Sequence, residues 1–576
     1  MREATRPRKG STTMTSDTAR PWLSSYAEGV PHEIDLPTGS LVDLIEASVK
    51  RFAKKPALVF FGAETSYREL GNQIDRAAEG LRRLGVGKGD RVALVLPNCP
   101  QHIAAFYAVL RLGAIVIEHN PLYTPRELRH QFEDHGATVV IAWDKVVDTI
   151  QKMPDDVAFE HIVSVDLTHA MPLHTRIALR LPLKKARDAR SALHAKVRRT
   201  IDWESLLESR RIRKSHPRPG VDDIALLQYT SGTTGTPKGA MLTHFNLHAN
   251  ALQGRAWLPG LEEGREVVYG VLPMFHAYGL TLCLTFAMSA GARLVLLPRF
   301  DVDLVLDAAK KHPPTFLPAV PPIYKRLAEA AEMRGTDLSG IRFAISGAMN
   351  LPTPTVELWE RVTGGLLVEG YGLTETSPVA LGNPVGPSRR AGTIGVPFPS
   401  TDVKVVDPDD VTSERPTGEP GELLIRGPQV FQGYWQKPDQ TREVLLDDGW
   451  FRTGDIVSID ADGFVTVVDR IKELIITGGF NVSPSEVEDA LRQHRSVKDA
   501  AVVGLPGANG GEDVVAAVVL NPGATLDEKA IRDFCREALT AYKVPRRVVV
   551  VDELPTSLIG KVLRKKVRDD LLKSAA

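Results

Sequence analysis

Apolar and polar positions in the first 150 residues follow two alternating periods. Ser66-x-x-Glu69 reads as a capping box, and Leu70, Ile74, Ala77, Leu81 and Leu84 follow at helical spacing up to Gly85. Residues 92–96 form a short, wholly apolar run, the pattern of a strand covered on both faces. Thr124-Pro125-Arg126-Glu127 supplies an N-cap, a proline at the first helical position and a capping glutamate, with Gly136 as the stop. Residues 137–142 are apolar again. This alternation of strand and helix signals predicts a parallel α/β sheet.

The pattern changes twice further on. From Gly392 to Val468 it becomes short strands and turns, and runs 456–459 and 464–468 flank a turn at Asp460-Ala461-Asp462-Gly463, which predicts a hairpin. Beyond Asp469 a smaller α+β unit is expected. Its first helix opens at Ser483-Pro484-Ser485-Glu486, strands follow at 497–503 and 514–520, and a helix follows Thr525. The expected division is a disordered tail at 1–35, a large domain at 36–470 and a small domain at 471–576, with the boundary near 469–472.

Length and composition narrow the choice. The chain has 576 residues, enough for two to four domains. Lys+Arg and Asp+Glu are both 71, so whole-chain charge gives no sign of nucleic-acid binding. Cys99, Cys283 and Cys535 are widely spaced and make neither a disulfide framework nor a CxxC metal pair, which points to a reducing, cytoplasmic setting. Residues 267–292 contain no Asp, Glu, Lys or Arg, but glycines, Pro273 and His276 interrupt them, so a buried strand–loop–helix is expected rather than a membrane span. In 174–200, nine Lys or Arg residues face a single acid, Asp188, while Leu183, Ala186, Leu193 and Val197 fall roughly on one helical face. This segment is either a solvated surface helix or a basic amphipathic helix for the anionic inner face of a membrane.

The densest candidate chemistry is Tyr229-Thr-Ser-Gly-Thr-Thr-Gly-Thr-Pro-Lys-Gly239, which follows the apolar run 224–227. Glycines let backbone N–H groups approach a phosphate closely, and hydroxyls and Lys238 add donors and charge. It is not a Walker A loop, because Lys238 is followed by Gly239 rather than Ser or Thr. The segment resembles the phosphate loop of the adenylate-forming superfamily, which comprises acyl-CoA synthetases, luciferases and nonribosomal peptide synthetase adenylation domains. Further segments resemble that family in its own order: Pro273-Met-Phe-His-Ala-Tyr-Gly279, Tyr371-Gly-Leu-Thr-Glu-Thr-Ser-Pro378, Gly449-Trp-Phe-Arg-Thr-Gly-Asp455, Asp469-Arg-Ile-Lys-Glu-Leu-Ile-Ile476 with Gly478-Gly479, and Gly560-Lys561.

The resemblance implies a fold, a reaction and roles. The fold would be α/β, with parallel-sheet αβα subdomains and a β-rich subdomain in the large domain and a mobile C-terminal lid. The reaction would join a fatty acid, ATP and CoA through an acyl-adenylate, with AMP and pyrophosphate released. Ser231, Gly232, Thr233, Thr234, Gly235 and Lys238 would cradle phosphates, and Thr230 with Glu375 would hold Mg2+. Tyr371 would stack on adenine with Gly347 and Ala348 nearby, Gly372 and Thr374 would also bind ATP or AMP, Asp455 would accept the ribose hydroxyls and Arg470 would contact ribose or phosphate. His276, Tyr278 and Gly279 would wall the acyl pocket, with no acid–base work assigned to His276. Lys561 would be the catalytic cation, with Glu375 and Thr230 completing the catalytic set, Lys472 the hinge, and Gly478 and Gly479 would line the CoA tunnel.

Two segments depart from the common pattern. Met349 and Asn350 stand in Ser346–Leu351 where small residues and proline are usual, and Pro555-Thr-Ser-Leu-Ile-Gly-Lys561 is nearer the bacterial long-chain fatty acyl-CoA ligases. Medium- to long-chain acids are therefore expected. A fatty-acyl-AMP ligase, an aryl or coumarate CoA ligase and a non-catalytic nucleotide sensor are the alternatives. Expected partners beyond the substrates are a membrane surface through 174–200 and a second copy in a homodimer.

Overall fold

The computed structural model describes residues 20–154, 156–230, 237–470, 473–477, 480–507, 512–539, 541–557 and 560–575. The fold is α/β, with two large, mainly parallel sheets, an antiparallel sheet and a small C-terminal α+β unit. In the first sheet the order in space is Gly433–Tyr434, Lys238–Thr243, Ile224–Thr230, Ile115–Glu118, Arg91–Val95, Val139–Trp143, His161–Val165 and Ile201–Asp202. From Ile224–Thr230 onward these strands are parallel. The second sheet runs in parallel from Leu367–Gly372 through Phe343–Ser346, Phe316–Ala319, Val267–Gly270 and Arg293–Leu296 to Pro56–Phe60.

Local signals explain many of these elements. Val92, Ala93, Leu94 and Val95 are fully buried, as an apolar run with two covered faces requires. Ser66 accepts from the Glu69 N–H, Thr124 and Glu127 close a full capping box, and Gly136 ends its helix with φ of 61°. Helix Pro100–Arg111 is buried along its whole length, so it is apolar around most of its circumference.

The hairpin forms between Phe451–Ile459 and Val465–Arg470, with Ile459 opposite Val465, in the antiparallel sheet that also holds Asp402–Val406 and Gly421–Arg426. Asp460 Oδ1 accepts from the Asp462 and Phe464 amides, and Gly463 takes φ of 84°.

The small unit has its own core. Val487 and Leu491 of helix Pro484–Arg492 and Ile531 of helix Glu528–Ala538 pack on Val502 and Ala516. Those two come from the antiparallel strands Val497–Pro506 and Glu512–Leu520.

Two expectations are corrected. The tail does not reach residue 35. Residues 20–35 pack on the large domain: Trp22 is 3% exposed, a Cβ on Gly463 would lie 2.6 Å from it, and Tyr26 Oη donates to Pro397 O at 2.7 Å. Buried aromatic area outweighs a weak local pattern here. The basic segment is also not one helix. It forms Leu173–Ala178 and Lys184–Leu193, interrupted at Pro182, with Leu183 as the N-cap and Val197 beyond the helix end. Residues 267–292 become strand Val267–Gly270 and short buried helical pieces. Among the described residues, no helix is long and apolar enough to cross a membrane.

Candidate active site

The site lies where the C-terminal ends of the two parallel sheets meet the small unit, the usual place for a ligand crevice in such sheets. A cavity of about 520 Å³ opens there, lined by Thr230, Lys238, His276, Tyr371, Glu375 and Lys561 among others. Thr230 ends one strand and Lys238 begins the next, opposite it in antiparallel register, so the two ends of the glycine-rich segment are brought side by side. Lys238 Nζ lies 4.7 Å over the ring of Tyr434. Tyr229 Oη donates to Asp134 Oδ2 at 2.8 Å, which fixes the strand end from outside.

Glu375 is buried in the turn Thr374–Thr376. Tyr434 Oη donates to its Oε1 at 2.7 Å, and its main-chain oxygen accepts from the Phe431 N–H at 2.8 Å. Tyr371 sits at the end of Leu367–Gly372 and its hydroxyl donates to Asp455 Oδ2 at 2.5 Å. The residues expected at adenine and at ribose are therefore joined directly. Asp455 itself is buried and opposite Arg470 in the hairpin register. A Cβ on Gly372 would stand 1.8 Å from Pro378 O, so this turn admits only glycine.

The segment around His276 is a wall between the sheets. Asn98 holds it by donating to Gly270 O and Leu272 O and accepting from the Met274 N–H, and Gln228 Nε2 donates to Phe275 O. Tyr278 Oη donates to Ile345 O at 2.7 Å, and a Cβ on Gly347 would meet the Tyr278 ring at 3.0 Å. A Cβ on Gly279 would lie 2.2 Å from Pro273 O. Burial pushes the His276 imidazole down to about 4, so it is neutral near pH 7.

Lys561 reaches the cavity from the small unit on a tight turn. The Gly560 N–H donates to Ser557 O, the Lys561 N–H donates to Ser557 Oγ, and Gly560 has φ of 82°. The turn abuts the large domain: a Cβ on Gly560 would lie 3.7 Å from Pro322 Cγ and 3.8 Å from Met349 Sδ. Met349, one of the departures noted in the sequence, thus sits at the junction of the two units. Arg564, three residues on from Lys561, is largely withdrawn from solvent. It pairs with Glu488 at 2.7 Å and with Glu473 inside the small unit.

The structure brings Thr230, Lys238, Gly347, Ala348, Tyr371, Gly372, Thr374, Glu375, His276, Tyr278 and Lys561 to one cavity. Asp455 joins them through Tyr371. Ser231, Gly232, Thr233, Thr234, Gly235, Lys472, Gly478 and Gly479 lie outside the described residues, and Arg470 is described in its backbone alone.

Comparison with known proteins decides the family. The model of the AMP-binding enzyme family matches residues 45–435, and that of the AMP-binding enzyme C-terminal domain matches 486–561. The chain belongs to the AMP-binding enzyme family. A long-chain-fatty-acid–CoA ligase of Bacillus subtilis is 38% identical over 556 residues, 96% of this chain and 98% of the relative. A 4-coumarate–CoA ligase of Oryza sativa subsp. japonica is 34% identical over 514 residues, 88% of this chain and 87% of the relative. ATP-bound MatB from Rhodopseudomonas palustris superposes with a TM-score of 0.80 at 30% identity, over 93% of this chain and 100% of that one. The chain is an AMP-forming acid–thiol ligase that uses ATP and CoA.

Sequence reasoning missed Tyr434, which donates to Glu375 and underlies Lys238. Its one signal is Gly433-Tyr434-Trp435, an aromatic pair after a glycine. It missed Asn98 as well, whose role depends on contacts 172 residues away.

Proposed function

We propose that the chain activates medium- to long-chain fatty acids as CoA thioesters. The observation that carries this is the convergence of Thr230, Lys238, Tyr371, Glu375 and Lys561, from two units, on one cavity. A carboxylate oxygen attacks the α-phosphorus of ATP and pyrophosphate leaves. The CoA sulfur then attacks the acyl carbon, and AMP leaves with its electron pair. Lys561 neutralises the two anions that meet in the first step, where their repulsion raises the barrier. Tyr371 and Asp455 hold adenine and ribose, and Lys238 with the loop 231–235 holds the β- and γ-phosphates.

Thr230 and Glu375 suit Mg2+: they offer a hydroxyl and a buried carboxylate, hard oxygen donors, with the carboxylate oriented by Tyr434. The ion, when bound, offsets phosphate charge.

A long acyl chain needs apolar room beyond the nucleotide pocket. A second cavity of about 590 Å³ adjoins the same segment, lined by Pro273, Phe275, Val320, Ile323, Ala192 and Leu193 among others, while His276 and Tyr278 line the first. Together with the higher identity to the fatty-acid ligase than to the coumarate ligase, this supports an alkyl rather than an aryl substrate. Labelled pyrophosphate should exchange into ATP with palmitate at least roughly tenfold faster than with coumarate or benzoate. No exchange with any of the three would end the reading. Acyl-AMP that accumulates without CoA consumption would favour the fatty-acyl-AMP ligase alternative.

A further inference from the structure

Away from the active cavity, two carboxylates converge on one imidazole. Strands Val139–Trp143 and His161–Val165 are adjacent and parallel, with Trp143 opposite Val165. Asp144 and Asp166 are the next residues at the two C-terminal ends, so the register sets two like charges side by side. His194 comes from elsewhere, just beyond the basic helix Lys184–Leu193. Its Nδ1 lies 2.5 Å from Asp144 Oδ2 and 3.1 Å from Asp166 Oδ2. One donor atom from each of the three residues lies within 4.8 Å of the others.

Three features distinguish this from an ordinary ion pair. A single imidazole cannot offset two carboxylates, and the Asp144 side chain is only 2% exposed. Asp144 Oδ1 is buried without a hydrogen-bond partner. Asp166 is held in place because its Oδ1 accepts from the Thr168 N–H and hydroxyl, which leaves Oδ2 for the cluster. His169 Nε2 stands 3.7 Å from Asp166 Oδ2, and its Nδ1 is 3.3 Å from Glu204. Two carboxylate oxygens on strand ends and an imidazole nitrogen from the end of the basic helix are the donor set of a borderline divalent cation.

We propose that Asp144, Asp166 and His194 form a site for a divalent transition-metal ion of the zinc, cobalt or manganese class, which ties the end of the basic helix to the first sheet. The helix has no buried residue of its own. Besides the cluster, Trp143 Nε1 donates to Leu193 O, Lys145 Nζ donates to Ser191 O, and Leu193 packs on the edge of the main core. Ala192 and Leu193 line the second cavity, so the bound ion would also fix one wall of that cavity.

The test uses the full chain, stripped by a chelator and held in excess Mg2+ to occupy oxygen-only sites. Titration with Co2+ should give visible ligand-field absorption that saturates at one ion per chain. Asp144→Asn and His194→Ala should each weaken Co2+ binding at least roughly tenfold. His194→Cys should retain binding and add a sulfur-to-cobalt charge-transfer band, which separates loss of a ligand from loss of folding. Zn2+ should slow amide exchange across 184–193 at least roughly tenfold in the unmodified chain and leave it unchanged in His194→Ala. Absence of the Co2+ spectrum in the unmodified chain, or an equal spectrum in His194→Ala, would reduce the cluster to an ion pair and overturn the site. Binding without protection of 184–193 would overturn the tether.

Discussion

Lys561 is held by hydrogen bonds within its own turn, yet it lines a cavity supplied mostly by the other unit. Gly560 takes a left-handed conformation, and Ser557 binds both its amide and that of Lys561, so the lysine leaves the turn in a fixed direction toward the cavity. Lys561→Ala should lower acyl-adenylate formation by about 10²–10³-fold, the scale for removing one preorganised charge partner. Thioester formation from supplied acyl-AMP should stay within a few-fold. Pyrophosphate exchange and single-turnover thioesterification measure the two halves, and equal losses in both would contradict the assignment. Gly372 makes a purely steric prediction. Its missing Cβ would sit 1.8 Å from a backbone oxygen that cannot move alone. Gly372→Ala should cost about 3 kcal/mol or more, read from the urea midpoint, and should weaken ATP binding as the Tyr371 strand end shifts.

At the scale of elements, strand Leu367–Gly372 carries a charge problem as well as the site. Glu369 is buried, its carboxylate accepts from the Leu351 N–H at 3.0 Å, and burial pushes its pKa up from 4.5 to about 7. Between those values the folded chain binds a proton that the unfolded chain has released. Stability from this group is therefore complete below about pH 4.5, falls as pH rises to about 7, and is flat beyond. Glu369→Gln should remove that slope, worth on the order of 3 kcal/mol, from melting measured between those limits. The basic helix gives a second test. Leu173, Ile177, Leu181 and Leu183 are 69%, 56%, 46% and 60% exposed beside nine basic residues. Changing Lys184, Lys185, Arg187 and Arg190 to Gln should reduce pelleting with anionic liposomes, and unmodified protein whose pelleting ignores salt would end the membrane reading. These elements also show why some of the chain was legible in its sequence. Caps such as Thr124–Glu127 act over four residues, and a strand buried on both faces needs only a run of apolar residues. Tyr434, Asn98 and the packing of Trp22 left no comparable mark, because each is defined by a surface that distant parts of the chain supply. The basic segment misled for the opposite reason: charge and apolar spacing suggested one helix, and Pro182 divides it.

For the whole molecule, the proposed cycle makes the relation between its two units govern which half-reaction can proceed. In this structure Lys561 lines the nucleotide cavity and Gly560 lies against Pro322 and Met349, an arrangement suited to adenylate formation. Thioester formation in the proposed cycle requires that contact to open about the hinge at Lys472. A reversible staple can separate the two states. Met349→Cys with Gly560→Cys places two thiols across the junction, where a Gly560 Cβ would lie 3.8 Å from Met349 Sδ, and loss of two titratable thiols on oxidation shows that they have joined. A side chain at Gly560 must adopt φ near 82°, which costs about 1–2 kcal/mol, so the reduced double variant is the reference rather than the unmodified enzyme. The native cysteines offer little competition: all three are buried, and burial pushes Cys99 and Cys283 up to about 12 and Cys535 to about 11. Oxidation should leave pyrophosphate exchange within a few-fold of the reduced form while lowering acyl-CoA production at least roughly a hundredfold, and dithiothreitol should restore it. If the oxidised enzyme made acyl-CoA at the reduced enzyme's rate, both half-reactions would proceed in one closed arrangement, and the small unit would be a fixed wall of the site rather than its moving part.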